Sequence, residues 1–233
     1  MENKTAAVVF RPTNIPAVIG TIQSLNVCPV MPNVSQGVSY YGQRVGNKIS
    51  PKWCTIQGWL TLDLNSEDQD YDRIAVRMIL GFPKKPHLYP DAIDKIQSSP
   101  ADNWSYNILD AATSPTQFNG TLSAWQYPVN RRNFTVKAER KFTMSRPRIF
   151  DAITATTDFA RNSTGSYKFF KMRVKCPPTL VYDTGASLRP NNFDPVLMVG
   201  YTLLNGAVPP APDAAAPKPV TLSFTSRLSY EDA

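Results

Sequence analysis

Apolar and polar residues alternate along five segments of the chain, and a period of two predicts β-strands with one buried face. In 220–230, for example, Val220, Leu222 and Phe224 alternate with threonine and serine. Segment 196–204 is continuously apolar, which favours a central strand covered on both faces. The other alternating segments are 54–64, 74–80, 134–144 and 170–176, and less regular strand-like segments are 6–10 and 21–30.

The segments between these strands favour an all-β fold. The chain has 21 prolines and 11 glycines, and proline ends helices but is tolerated in turns and at strand edges. We predict one helix, at 90–97, which opens with Pro90 and places Ile93 and Ile96 on one face. Long connections between strands are typical of Greek-key sandwiches and jelly rolls. We therefore predict an all-β sandwich of eight or nine strands.

A chain of 233 residues can bury a sizeable core as one domain, and we predict a single domain over 1–233. Two connections are unusually long. The first is 84–130, and the second is 206–219, a proline- and alanine-rich run of polyproline character. An alternative is that 206–219 is a linker between two domains, but the part of the sequence after this linker would then contain only one strand. We expect both to be long loops.

Positive charge is concentrated in one part of the sequence. Lysine and arginine exceed aspartate and glutamate by 25 to 18, for a net charge of +7. Segment 131–175 alone has twelve bases and three acids, so the rest of the chain is slightly acidic. Such an excess favours contact with phosphate backbones. The alternative is a solvated strand face on which lysines guard against edge-to-edge pairing.

Histidine and cysteine are too scarce for most catalytic or metal chemistry. His87 is the one histidine, which excludes clusters of several histidines around a metal. Cys28, Cys54 and Cys176 are far apart and lack ligand spacing, so we predict reduced, buried thiols in an intracellular setting. We predict no cofactor, no metal site and no catalytic residue.

Two short motifs indicate other chemistry. Residues 183–187 spell DTGAS after an apolar segment, as in the loop that presents the catalytic carboxylate of aspartic proteases. The next apolar-apolar-glycine segment, 198–200, follows too soon for that fold, so a turn is the simpler interpretation. Segment 63–72 is acidic and begins like a calcium loop, but Asp68 stands where glycine is required. We interpret it as a solvated loop, with cation binding at a subunit contact as the alternative.

With these motifs in order, the sequence resembles the capsid proteins of circovirus-like, Rep-encoding circular single-stranded DNA viruses. The resemblance covers most of the chain. It depends on the order and spacing of five segments: 43–49 (QRVGNKI), 54–60 (CTIQGWL), 72–80 (DRIAVRMIL), 132–142 (RNFTVKAERKF) and 223–233 (SFTSRLSYEDA).

The resemblance implies a single eight-stranded jelly roll that self-assembles into a small icosahedral shell, of about 60 copies, around circular single-stranded DNA. It implies a virion protein, present in the host nucleus or cytoplasm during assembly, without a membrane or small-molecule partner. Such capsids usually begin with an arginine-rich arm, whereas only Lys4 and Arg11 precede Arg44 here. DNA contact is therefore assigned by resemblance to Arg132, Lys137, Arg140 and Lys141, and on charge alone to Lys171, Arg173 and Lys175.

Two rival functions remain at this point. The first is a monomeric or dimeric nucleic-acid-binding β domain, in which aromatic residues of the long connection act as stacking platforms. Those residues are Trp104, Tyr106, Trp125 and Tyr127. The second is the aspartic protease indicated by DTGAS.

Overall fold

Alternation with a period of two produces long strands in the computed structural model of the chain, because it places the apolar side chains on one face. The structure describes residues 3–19, 26–62, 73–84, 108–145, 166–207, 209 and 218–232. Their elements, in chain order, are β1 (Asn3–Ile15), β2 (Val27–Pro29), β3 (Lys48–Leu62), β4 (Arg73–Pro83), β5 (Leu109–Asp110), β6 (Pro115–Thr116), α1 (Leu122–Gln126), β7 (Phe134–Ser145), β8 (Tyr167–Lys175), β9 (Leu180–Val181), β10 (Val196–Leu203) and β11 (Val220–Asp232).

Two antiparallel sheets pack face to face as a sandwich. Sheet I has the strand order β1-β11-β3-β8, and the short β9 pairs with the start of β3. Sheet II has the order β2-β10-β4-β7. When only these eight main strands are numbered along the chain, the orders are 1-8-3-6 and 2-7-4-5. This is the topology of a jelly roll, so the predicted all-β fold class is confirmed.

The main core lies between the sheets and takes side chains from both. Ile56 and Leu222 extend from sheet I, and Val76 and Val199 from sheet II, and all four are fully buried. Each such side chain contributes about 1.5–3 kcal/mol on leaving water. The inward half of each alternating segment therefore holds the sandwich together.

Most of the predicted strands are present, with different ends. β3 begins at Lys48, well before the alternation at 54–64 that predicted it, and β1 extends beyond 6–10 in both directions. The strand expected at 21–30 is reduced to β2 in its described part, since 20–25 lie outside the described residues. Every residue of β10 is buried, as expected for a strand covered on both faces.

The prediction that β4 has one exposed face is wrong. Its outward residues Ala75, Arg77 and Ile79 are as buried as its inward ones. The cause is the connection between β4 and β7, whose described part, 108–130, lies over sheet II. A pattern of single residues cannot show that a distant segment folds back over the polar side of a strand.

The covering segment has its own small core, formed with the outward side chains of sheet II. The Phe118 ring is fully buried there, beside Ile79 and Met198. Gly200 in β10 leaves room for this ring, because a Cβ atom at Gly200 would lie 2.6 Å from the Cδ1 and Cε1 atoms of Phe118. The long connection is therefore part of the fold, and it covers the outer face of sheet II.

The helix in the covering segment was not predicted. It begins after Thr121, whose hydroxyl accepts a hydrogen bond from the Ala124 N–H at 3.2 Å, as an N-cap residue does. The expected helix at 90–97 lies outside the described residues, as do 208 and 210–217 of the second long connection. The described part of the chain contains this one short helix, in agreement with the predicted all-β fold.

Candidate nucleic-acid interface

The outer face of sheet I differs from that of sheet II because the described chain leaves it exposed. Strands β11, β3 and β8 are paired in register, so their outward side chains form rows across the sheet. One row contains Arg173, Thr55 and Arg227, and the next contains Lys171, Gln57 and Thr225. We call these outward side chains the bare face: Trp53, Thr55, Gln57, Trp59 and Thr61 of β3, Tyr167, Phe169, Lys171, Arg173 and Lys175 of β8, and Thr221, Ser223, Thr225, Arg227 and Ser229 of β11.

Aromatic rings lie on the bare face in contact with water. Trp53 and Trp59 are each 47% exposed, and Phe169 is 50% exposed. The Trp59 ring meets that of Phe169 edge to face at 5.0 Å between centroids, and that of Tyr167 at 5.7 Å. Large exposed apolar surface of this kind marks an interaction site in many soluble proteins.

The predicted bases of β8 lie on the bare face. Lys171, Arg173 and Lys175 are exposed, and they alternate with the buried Met172 and Val174 as the sequence predicted. None of the three forms a salt bridge with another residue in the described part of the chain. Their charge is therefore available to an anionic partner.

The predicted bases in and next to β7 lie elsewhere, because β7 belongs to sheet II and β8 to sheet I. These two edge strands contact each other, yet their outward faces point away from the sandwich on opposite sides. Arg132 precedes β7 and is exposed, and Arg140 pairs with Met78 of β4. Hence the seven predicted bases do not share one surface.

The other two bases of β7 lie against aromatic rings. The Lys141 Nζ atom is 4.7 Å from the centroid of the Trp125 ring, on the covered side of sheet II. Burial lowers the pKa of Lys141, and repulsion from Arg77 lowers it further. Lys137 lies at a β-bulge, with its Nζ atom 5.6 Å from the Phe82 ring. Both side chains are exposed, but each ammonium group already lies against an aromatic ring of sheet II or of its covering segment.

Arg77 lies on the side of β4 that the alternation at 74–80 predicted to be exposed, but it is buried. It is 1% exposed, donates to the carbonyl oxygen of Ala124 at 2.8 Å, and pairs with the Glu139 carboxylate at 2.9 Å. Burial lowers the pKa of Arg77, while Glu139 opposes that shift. Its guanidinium therefore holds the covering segment to sheet II and does not form part of a binding surface.

Arg44 explains the local structure around the DTGAS motif. Its fully buried guanidinium donates to the carbonyl oxygens of Thr184 at 2.8 Å and Ser187 at 2.9 Å, and lies 4.2 Å from the centroid of the Tyr182 ring. The Asp183 side chain is exposed and accepts a hydrogen bond from the side chain of Asn191. The motif thus forms a turn, as the simpler interpretation predicted. Arg44 holds this turn against the loop 33–47.

The loop that contains Arg44, residues 33–47, exposes a second apolar surface. Val38 is 86% exposed, and Tyr40, Tyr41 and Val45 are also exposed. The Gln43 side chain accepts hydrogen bonds from the N–H groups of Ser39 and Tyr40, which fixes the loop. We call these four exposed residues the loop patch.

Other predicted features are buried or lie outside the described residues. Cys28, Cys54 and Cys176 are buried thiols, as predicted. Burial raises the pKa of Cys54 to about 11 and that of Cys176 to about 12. His87 and the acidic segment 63–72 are not described. The described residues contain neither a group of three metal-ligating side chains nor a helix with the length and apolar character to cross a bilayer.

The aromatic residues of the bare face were missed by the sequence analysis, which sought stacking platforms in the long connection. There Trp125 and Tyr127 pack against the second core, and Trp104 and Tyr106 lie outside the described residues. The available signal was Trp59 on the polar side of an alternating strand, and Phe169 in phase with Lys171.

The fold and this face define an all-β jelly roll with one exposed basic and aromatic sheet face. A scan of protein-family models found no match, and a search of curated proteins found none similar to the chain.

Proposed function

We propose that this protein is a viral capsid protein that self-assembles into a small icosahedral shell around a circular single-stranded DNA genome. The observation that carries the proposal is the jelly-roll order of the two sheets, 1-8-3-6 and 2-7-4-5, because jelly rolls are a recurrent fold of capsid subunits. The motif order described above supports it. The proposed role is non-enzymatic, since it consists of association between copies and with DNA.

Self-association needs surface that is apolar and held in shape before contact. The loop patch meets both requirements, because Val38, Tyr40 and Tyr41 are exposed while Gln43 and Arg44 fix their backbone. Preorganised aromatic residues are common in protein interfaces. We therefore propose that the loop patch contributes to contacts between subunits.

The test is the size and shape of the purified full-length protein, measured by analytical ultracentrifugation and electron microscopy. Closed, uniform particles are expected. The double variant V38S/Y40S should shift the protein towards free subunits, whereas V9S, at an apolar residue of β1 that is 67% exposed and lies outside the loop patch, should assemble normally. A wild-type protein that stays a single subunit at every concentration and salt tested would contradict the proposal.

Salt separates the two kinds of contact that a capsid needs. Binding of nucleic acid weakens steeply as salt rises, because it depends on counterion release. Apolar contacts between subunits do not have this dependence. Particles dialysed into high salt are therefore expected to release nucleic acid before they dissociate, as read by absorbance and sedimentation. Dissociation before release would count against an apolar subunit interface.

The second candidate is a nucleic-acid-binding β domain that works as a monomer or dimer. The observation that favours it is the bare face, whose bases and aromatic rings need no shell to bind a strand. The ultracentrifugation experiment separates the two functions. A species of one or two subunits that binds DNA favours this module, whereas particles favour the capsid.

A further inference from the structure

We propose that the bare face is a binding site for single-stranded nucleic acid, in which Trp53 and Trp59 stack on bases and Lys171 and Arg173 contact phosphates. The inference deepens the proposed function, and it applies equally to the second candidate. It differs from the sequence prediction, which divided DNA contact among bases of β7 and β8 and assigned no role to the rings of β3.

Charge is the first argument. The fifteen outward positions that define the bare face include Lys171, Arg173, Lys175 and Arg227 and no aspartate or glutamate. The remaining polar positions are threonine, serine and glutamine, which can donate hydrogen bonds to phosphate oxygens. With four bases, and with Glu231 as the next outward position only at the far end of β11, the face carries net positive charge and is complementary to a polyanion.

The arrangement of the rings is the second argument. Trp53 and Trp59 are six residues apart on the same side of β3, which corresponds to roughly 20 Å along the strand. The rows of Arg173 and Lys171 cross the sheet between them. A strand of nucleic acid laid along β3 therefore meets the Trp53 ring, then the positive side chains of Arg173 and Lys171, then the rings of Trp59 and Phe169. Alternation of positive charge and aromatic rings is the usual design of single-strand binding grooves.

The rings also decide between single and double strands. Side chains stack on bases only where the bases are unpaired, because a duplex hides their faces in its own stack. A face that recognised duplex through its backbone alone would gain nothing from two half-exposed tryptophans. A protein is the alternative partner for these rings, but charge complementarity with the four bases favours an anionic strand.

The experiment measures binding of a fluorescent oligo(dT) single strand and of a matched duplex to the full-length chain, under conditions in which sedimentation shows free subunits. We expect oligo(dT) to bind more tightly than duplex and to quench tryptophan fluorescence. Trp59→Ala should weaken oligo(dT) binding about tenfold, and Trp53→Ala by a similar factor. Trp59→Phe should retain most of the affinity because it keeps a ring. Leu188→Ala, which changes a residue of similar exposure next to the DTGAS turn and away from the bare face, should bind as the wild type does.

The bases are tested in the same assay by its salt dependence. Arg173→Gln should reduce the slope of log affinity against log salt by about one, as for loss of one phosphate contact. Lys141→Gln, which changes a base over Trp125 on sheet II, should leave the slope unchanged. This pair of variants locates the phosphate contacts on one sheet, whatever the state of assembly.

Two outcomes would show that the rings do not stack on nucleobases: Trp53→Ala and Trp59→Ala both binding oligo(dT) with wild-type affinity, or both losing duplex binding by the same factor as single-strand binding. A third outcome would also overturn the inference: if these variants bind DNA normally but no longer form particles, the bare face is a subunit contact. The proposed function fails separately. If the wild type never forms particles but Trp59→Ala weakens oligo(dT) binding, the capsid proposal is wrong and the inference stands.

Discussion

The two sheets of the sandwich have inner faces that share one core, but their outer faces are opposite in character. Sheet II is covered by residues 108–130, which bury even the charged Arg77 of β4. Sheet I carries exposed tryptophans on β3, and exposed bases on β8 that form no salt bridge with another described residue. The comparison teaches that burial on sheet II serves stability, whereas exposure on sheet I leaves apolar and charged groups available for binding.

The largest effect is expected from removing the ring that joins the cover to sheet II. Phe118→Ala should lower the free energy of unfolding by about 3–5 kcal/mol, because the ring is fully buried over Gly200 and leaves a cavity. Phe169→Ala on the bare face should cost far less, since half of that ring is in water. Urea denaturation at one protein concentration measures both. If both variants lost the same free energy of unfolding, the outer faces of the two sheets would contribute equally to stability, and the comparison would fail.

A smaller loss is expected from the buried ion pair of sheet II. Arg77→Met removes the hydrogen bond to Ala124 and the pair with Glu139, and should cost about 2–3 kcal/mol. Lys171→Met makes a similar change on the bare face and is the matched control. Unfolding curves that coincide with the wild type for Arg77→Met would show that apolar packing alone holds the cover.

The core between the sheets is tested by pH. Burial raises the pKa of Cys176 from 9.0 to about 12, so the folded state holds this thiol neutral. The stability that depends on the neutral thiol is complete below pH 9 and is lost as pH rises towards 12. When the pH rises from about 8 to about 10, the free energy of unfolding of Cys176→Ala should therefore fall by roughly 1 kcal/mol less than that of the wild type. An identical pH dependence in both proteins would place this thiol in contact with water.

The smallest effect on stability is expected on the bare face. Lys171→Gln and Arg173→Gln should each leave the free energy of unfolding within about 0.5 kcal/mol of the wild type, because both side chains are exposed. Thermal or urea unfolding checks this directly. A loss comparable with that of Arg77→Met would mean that these bases hold the fold together, and sheet I would then resemble sheet II.

The same contrast shows how far the sequence could predict this structure. Alternation predicted β3, β7, β8 and β11 because one residue and its second neighbour share a face whatever the rest of the chain does. It failed at Arg77, which lies on the side of β4 that the alternation at 74–80 predicted to be exposed. Its burial depends on a segment that lies more than thirty residues further along the chain. Burial by a distant segment leaves no mark on the local pattern.

The candidate site was predicted in part for a related reason. Lys171, Arg173 and Lys175 were found because a period of two fixes them on one side of β8. Their separation from Arg140 and Lys141 is a consequence of sheet order, which no single segment encodes. Trp59 became a candidate only when pairing placed it beside Phe169.

The pairing of β1 has a consequence for how the chain is made. In the described structure β1 pairs with no strand other than β11, with Asn3 opposite Glu231, so β1 cannot enter the sheet until the ribosome has made β11. Until then its edge is an open template for other nascent chains. We therefore expect the yield of folded recombinant protein to rise when expression is slowed, because fewer chains with an unpaired β1 are then present at the same time.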